Sequence, residues 1–192
     1  MRQIALAACA AAVLAVTVAS SPALAASGQS ATAQGQVAAV IVEPIMAVAL
    51  NDLDFGSLTS SSTMSGSITV DSLGIATYSG GAAAACAGGG ACAGIAPARF
   101  LVSGEASRSY TVSAPSQIVA SGTLIAGGGS ARDLAIDELS VHLDSHAGSI
   151  TSIGQLDEKG EDRIAVGGRL TVPAGTAPAH YRATLTIMVT YS

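Results

Sequence analysis

The chain has 192 residues and a formal charge of −5, with two Phe, four Tyr, no Trp and a single lysine, Lys159. An acidic surface with scattered arginines repels phosphate backbones, which excludes nucleic acid as a partner class. So few rings also disfavour a sugar platform built on stacked aromatics.

The chain opens with the three zones of a secretory signal: the positive charge of Arg2, an apolar stretch from Ile4 to Val18, and the small-residue site Ala23-Leu24-Ala25. Residues 1–25 are therefore predicted to be a signal peptide cleaved between Ala25 and Ala26. The stretch is shorter than the ~20 residues needed to span a bilayer and is interrupted at Ser20-Ser21-Pro22, so no permanent membrane anchor is expected. Leu6-Ala7-Ala8-Cys9 resembles a lipoprotein box, but too few residues precede Cys9 for an apolar core. The product is therefore expected to be exported, to the periplasm, the cell surface or the extracellular space. Removing Arg2 takes the formal charge from −5 to −6, and the roughly 167 residues left suit one domain with its own core.

Residues 26–35 read as a flexible leader or an extended strand, and residues 36–192 as the domain. Gln36–Val42 and Ile45–Leu50 are apolar runs broken at Pro44, read as one strand bent at the proline. Val37, Ala39 and Ile41 share one parity within it. Asn51–Gly56 offers Asx side chains for a turn. Gly66–Val70 and Ile75–Tyr78 form a hairpin through Asp71–Gly74. Residues 79–95, rich in Gly and Ala, are predicted to project as a loop. Strands return at Arg99–Val102, Tyr110–Ala114, Gln117–Leu124 and Leu134–Leu143. Ile150–Leu156 and Ile164–Val172 flank the acidic segment Asp157–Asp162, a solvated hairpin tip, and Gly167-Gly168 predicts a bulge in the second strand. Tyr181–Tyr191 alternates cleanly, with the odd positions facing a core. No 3.6-residue period persists over the ~11 residues of a typical helix. Strands at about ten-residue intervals predict an all-β, immunoglobulin-like or pilin-like two-sheet antiparallel sandwich.

Cys86 and Cys92 lie in one Gly/Ala stretch. In an oxidising compartment they are expected to pair as a structural disulfide closing a ring of roughly seven residues, worth ~2 kcal/mol. A metal clip or redox pair is the alternative, but no nearby His or third Cys completes a coordination shell. His142, Asp144 and His146 share a strand face if the strand persists, and a turn at Ser145–Gly148 would scatter them. The acidic tip lacks the ordered spacing of a calcium loop. There is no G-x-S-x-G, H-E-x-x-H, P-loop or dinucleotide fingerprint, and no Ser-His-Asp arrangement is demanded. No enzyme activity and no cofactor are expected.

Asp52-Leu53-Asp54-Phe55-Gly56, Ala98–Glu105, Val166-Gly167-Gly168-Arg169-Leu170-Thr171-Val172 and the terminal Tyr181–Tyr191 together resemble, in order, domain of unknown function 4402, a family of secreted bacterial proteins. The resemblance implies a pilin-like, immunoglobulin-like sandwich whose role is not established. The loop of Cys86 and Cys92 lies outside that pattern. The terminus is also similar to subunits of pili assembled by chaperone and usher, which end in an alternating strand with a penultimate aromatic, here Tyr191. That likeness implies strand exchange, with Ala26–Val42 as donor, the groove beside the last strand as acceptor, Val37, Ala39, Ile41 and Tyr191 in the assembly contact, and partners that are copies of the chain, related pilin subunits and a periplasmic chaperone. Ala179 and His180 stand where such subunits often have glycine. The competing expectations are a last strand that closes its own sandwich, and a monomeric binding module for glycan or calcium.

Overall fold

The computed structural model describes residues 32–86, 94–146 and 152–192. The signal peptide, its cleavage site at Ala25 and Ala26, the leader up to residue 31, Cys92, Gly88–Gly90 and residues 147–151 lie outside them. The chain divides into two units, 1–40 and 41–192. Of the first, residues 32–40 are described and carry no strand.

The second unit is all-β and antiparallel, and its helical content among the described residues is one 3-10 turn at Asp144–His146. Six strands form a continuous path: β1 (Met46–Asn51), β6 (Ala98–Ser103), β11 (Glu161–Val172), β9 (Ser130–Leu143), β8 (Gln117–Leu124) and β12 (Ala179–Arg182). The hairpin β3 (Gly66–Val70) and β4 (Ala76–Gly80) joins this sheet through β3, which pairs with the second half of β11. A three-stranded sheet holds β10 (Ile153–Gln155), β7 (Ser109–Ser113) and β13 (Met188–Tyr191), and a two-stranded one holds β2 (Leu58–Ser60) and β5 (Ala82–Ala84). One core cluster gathers Phe100, Val102, Tyr110, Leu143 and Ile164, and a second gathers Phe55, Ile68, Leu134, Ile136 and Leu170.

The β3–β4 hairpin forms as predicted. Asp71 Oδ1 accepts the amides of Leu73 and Ile75, at 2.9 and 2.8 Å, and Gly74 takes a φ of 86° that other residues resist. Elsewhere the strands depart from the reading. Residues 36–42 form no strand, because β6 ends at Ser103, opposite Met46, and offers nothing beyond to pair with. The expected loop at 79–95 is ordered in its first part: β4 runs to Gly80, and β5 pairs with β2. The register shift at Gly167-Gly168 is present, but the extra residue sits on β9 at Glu138, whose φ is 49°. The bulge flips the inward parity of β9 from Leu134 and Ile136 to Leu139, Val141 and Leu143, while β11 keeps its own phase.

The terminal strand divides. β12 pairs with β8 and β13 with β7, in different sheets, and residues 183–187 between them belong to neither. The odd positions remain the half-buried ones apart from Ala183, so one alternating segment crosses between two sheets.

Candidate functional site

The six-stranded path runs through five successive antiparallel pairings, so β1 and β12, at its two ends, run in opposite directions. Both ends line one cavity of about 1610 Å³. β1 lines it with Ala49 and Asn51, at its C-terminal end, and β12 with Ala179–Arg182. Phe100, Leu170, Ile136 and Ala120 are contributed by β6, β11, β9 and β8 in turn. The sheet therefore curls, bringing its free edges toward each other without joining them. Among the described residues β1 pairs only with β6, and β12 only with β8. A strand laid in this seam runs parallel to one wall and antiparallel to the other.

Most of the lining is uncharged, with Asp52, Asp54 and Arg182 as its charged members. Ala47 and Ala49 of β1 lie on the same face as Val102 and Phe100, their register partners, and yet are exposed. Residues 183–185 continue the β12 side of the cavity with their main chain outside any ladder.

One end of the unit is tied by Tyr191. Its hydroxyl donates to the Glu43 carbonyl and accepts the Glu105 amide, each at 2.7 Å, while Arg108 lies over the ring, 4.9 Å from its centre, and pairs with Glu105 at 2.6 Å. A side chain at Gly104 would collide with that hydroxyl. The same device recurs twice. Tyr110 covers its cross-strand partner Gly154, and Tyr181 covers its partner Gly122. Each glycine admits a ring across the ladder that a Cβ would block.

Tyr110 is fully buried and its hydroxyl donates to Asp162 Oδ2 at 2.7 Å. Burial, and then the bonded carboxylate, push the phenol well above its ordinary value. Asp162, expected on a solvated tip, is 7% exposed and also accepts the Ser145 hydroxyl at 2.5 Å and the amides of Ser145 and Arg163 at 3.1 and 2.8 Å. It lies inside because β11 begins at Glu161, three residues earlier than predicted, which turns residue 162 inward. Ser145 Oγ also lies 3.3 Å from His146 Nδ1. The hydroxyl proton goes to the carboxylate, so the imidazole is not placed as its base, and the trio is a structural knot rather than a nucleophilic site.

Of the other residues singled out, Val37 and Ile41 are 98% and 96% exposed, and Ala39 is exposed too. Cys86 closes the described part before the loop, and its expected partner Cys92 lies outside. His142 pairs with Ala165 in β9, and Asp144 and His146 fall on the 3-10 turn beyond it. No group of three His, Cys, Asp or Glu among the described residues is placed to hold a metal ion. Asp157 Oδ1 is taken by the amides of Glu161 and Lys159, both at 2.8 Å, which hold its carboxyl below the usual range. No helix among the described residues is long and apolar enough to cross a membrane. The expected acceptor groove lies beside the last strand, and β12, the first part of that strand, is one wall of the seam; β1 as the other wall was not expected, its signal being the uncharged run Met46–Leu50.

Neither a curated protein nor a solved structure matches the chain. The family model for a domain of unknown function, DUF4402, matches residues 45–191, from the residue ahead of β1 to the end of β13. The chain thus belongs to the DUF4402 family.

Proposed function

We propose that the protein is an exported, non-enzymatic structural or surface subunit, an immunoglobulin-like sandwich lacking one strand, which assembles when the N-terminal segment of one copy fills the seam of the next. The observation that carries this reading is the cavity between the unjoined edges β1 and β12. Main-chain edges on both sides favour an extended peptide, which bonds to them without regard to its side chains. The cavity also exceeds the ~300–1,000 Å³ of small-molecule sites. Ala26–Val42 supplies the matching chemistry: no charge in seventeen residues, with Val37, Ala39 and Ile41 on one face.

A second copy is the favoured source. For the chain to fill its own seam by a tight hairpin into β1, Glu43-Pro44 would have to form the turn. Two-residue hairpin turns need positive φ, and Glu43 is not among the residues that have it. In the same reading Cys86 and Cys92 form a local disulfide, and the role of Tyr191 is internal, fixing the chain where the donor segment leaves.

The test is size-exclusion chromatography and electron microscopy of the intact mature chain. Oligomers are expected, and deletion of Ala26–Gln36 should leave a folded protein that does not polymerise. An intact chain that stays monomeric at every concentration overturns the reading. Calorimetry with calcium and a glycan array, both expected flat, would then address the monomeric binding module.

A further inference from the structure

The two walls of the seam are joined at one end. Of β1, Ala49 and Asn51 line the cavity, and the terminal segment lines it as far as Leu185. Beyond these, past the other ends of both walls, the Tyr191 hydroxyl donates to the Glu43 carbonyl at 2.7 Å. Glu43 precedes β1 and Tyr191 closes β13, so this bond crosses from one wall to the other. The seam is thus tied where the N-terminal segment leaves the domain, and the cavity lies toward the opposite end, by Asp52 and Asp54.

We propose that Tyr191 makes strand addition intermolecular: by holding Glu43 it keeps the N-terminal segment from folding back into the seam of its own subunit, and leaves that seam free for the segment of a second copy. This rests on the strand-addition reading and adds to it the residue that decides between the two sources. The choice needs a physical cause. A segment joined to β1 by so short a link stands at its own seam at an effective concentration on the order of millimolar. With a free hinge it would fill that seam ahead of any copy in dilute solution.

Folding back by a tight hairpin takes a turn at Glu43-Pro44, and that turn rotates Glu43 to a positive φ, carrying its carbonyl away from the Tyr191 hydroxyl. Closure within one subunit therefore costs the bond, whereas donation to a second copy keeps it. Pro44 acts in the same sense, because the residue ahead of a proline is confined to extended backbone. Tyr191 is itself anchored: its hydroxyl accepts the Glu105 amide at 2.7 Å, Arg108 lies over its ring, and Gly104 leaves the room that a Cβ would take. The group that holds the hinge thus belongs to the framework of the domain. Tyr191 acts as a positioning residue through Glu43.

The experiment uses the full mature chain. Hydrogen exchange of Val37–Ile41, read by mass spectrometry, is measured in the assembly and at a dilution where the chain is monomeric, and sedimentation velocity gives the half-association concentration. In the parent the segment should be protected in the assembly and unprotected in the monomer. Tyr191→Phe keeps the ring and releases Glu43, so we expect the ratio of closed to open monomer, read as protection at dilution, to rise about fivefold, equivalent to ~1 kcal/mol. The half-association concentration rises as the open fraction falls. Pro44→Gly frees the hinge from its other side and should act in the same direction. Arg108→Gln loosens the same corner but leaves the hydroxyl on Glu43, and should behave as the parent. The inference is overturned if a folded Tyr191→Phe monomer leaves the segment as unprotected as the parent does, or if Arg108→Gln protects it equally; should Tyr191→Phe not fold, an unprotected Pro44→Gly monomer overturns it. Strand addition survives each of those results. A parent that never associates, or whose assembly leaves Val37–Ile41 exchanging freely, removes the strand-addition reading and this one with it, and is seen before any variant is made.

Discussion

Removing one oxygen from Tyr110 should cost more than removing it from any other tyrosine. The side chain is 0% exposed, and its hydroxyl is one of four donors to Asp162, itself 7% exposed. Tyr110→Phe leaves the ring over Gly154 and the core cluster filled, so no packing is lost. What is lost is a hydrogen bond to a buried charged acceptor, worth about 1.5–3 kcal/mol. In a domain of this size each kcal/mol moves the unfolding midpoint by ~2–4 °C, so a fall of about 3–12 °C is expected. Circular dichroism during thermal and urea unfolding reads it, with the urea slope unchanged because the surface exposed on unfolding is the same. Asp162→Asn keeps an acceptor but removes the charge, and the double variant should cost less than the two single losses added, with a coupling of ~0.5–3 kcal/mol. A Tyr110→Phe protein within ~0.5 kcal/mol of the parent would refute the argument that this carboxylate depends on its phenol.

Two further perturbations test other parts of the fold. Gly154→Ala places a Cβ 2.5–2.7 Å from two ring carbons and the hydroxyl oxygen of Tyr110, which is pinned by Asp162 and cannot swing aside, so denaturant unfolding should show a loss of about 1–3 kcal/mol; a neutral result would mean that β7 and β10 separate easily. Asp157 has a folded-state pKa below its ordinary value, caused first by the Glu161 amide and then by that of Lys159, so its contribution is present above the ordinary carboxylate pKa of about 3.9 and is lost as pH falls through the lower folded value. Asp157→Asn should therefore flatten the fall of the unfolding midpoint on acidification below about pH 4, and an unaltered acid limb would contradict this.

The elements read well from the sequence are those whose signal is local. Gln117–Leu124 has its predicted bounds because Pro115 and the Gly127–Gly129 turn punctuate it, and the β3–β4 hairpin follows from Asp71 and Gly74. β2 and β5 were missed because three residues of Leu-Thr-Ser or Ala-Ala-Ala carry no period, and each exists only through the other. The division of the terminal strand was not legible for a different reason. Alternation reports which face is buried, and Leu185, Ile187, Val189 and Tyr191 all do face inward; it does not report which neighbour holds the backbone. The bulge at Glu138 was legible, since the apolar parity changes from Leu134 and Ile136 to Leu139, Val141 and Leu143. The tyrosine–glycine pairs could not be read, because Gly154 and Gly122 acquire their meaning from rings brought across the ladder by the fold.

Edges of natural sheets are commonly guarded by charge, proline or a bulge. β1 carries no charge from Met46 to Leu50, and Met46, Val48 and Leu50 are more than half exposed. Its guards stand at the ends: Pro44 has no amide to donate, and the register breaks between Ala49 and Asn51. The length of edge that can accept another strand is thus Ile45–Ala49, five residues. On the strand-addition reading this sets the size of the donor as well as its chemistry, and Val37–Ile41 is five residues long. A longer apolar strand would overrun the break at Leu50 and meet Asp52 and Asp54, which line the cavity next to Ala49 and Asn51 and would oppose a buried, uncharged partner there. The bulge and the proline would then serve as selectivity, restricting an exposed edge to one short kind of strand instead of leaving it open to any.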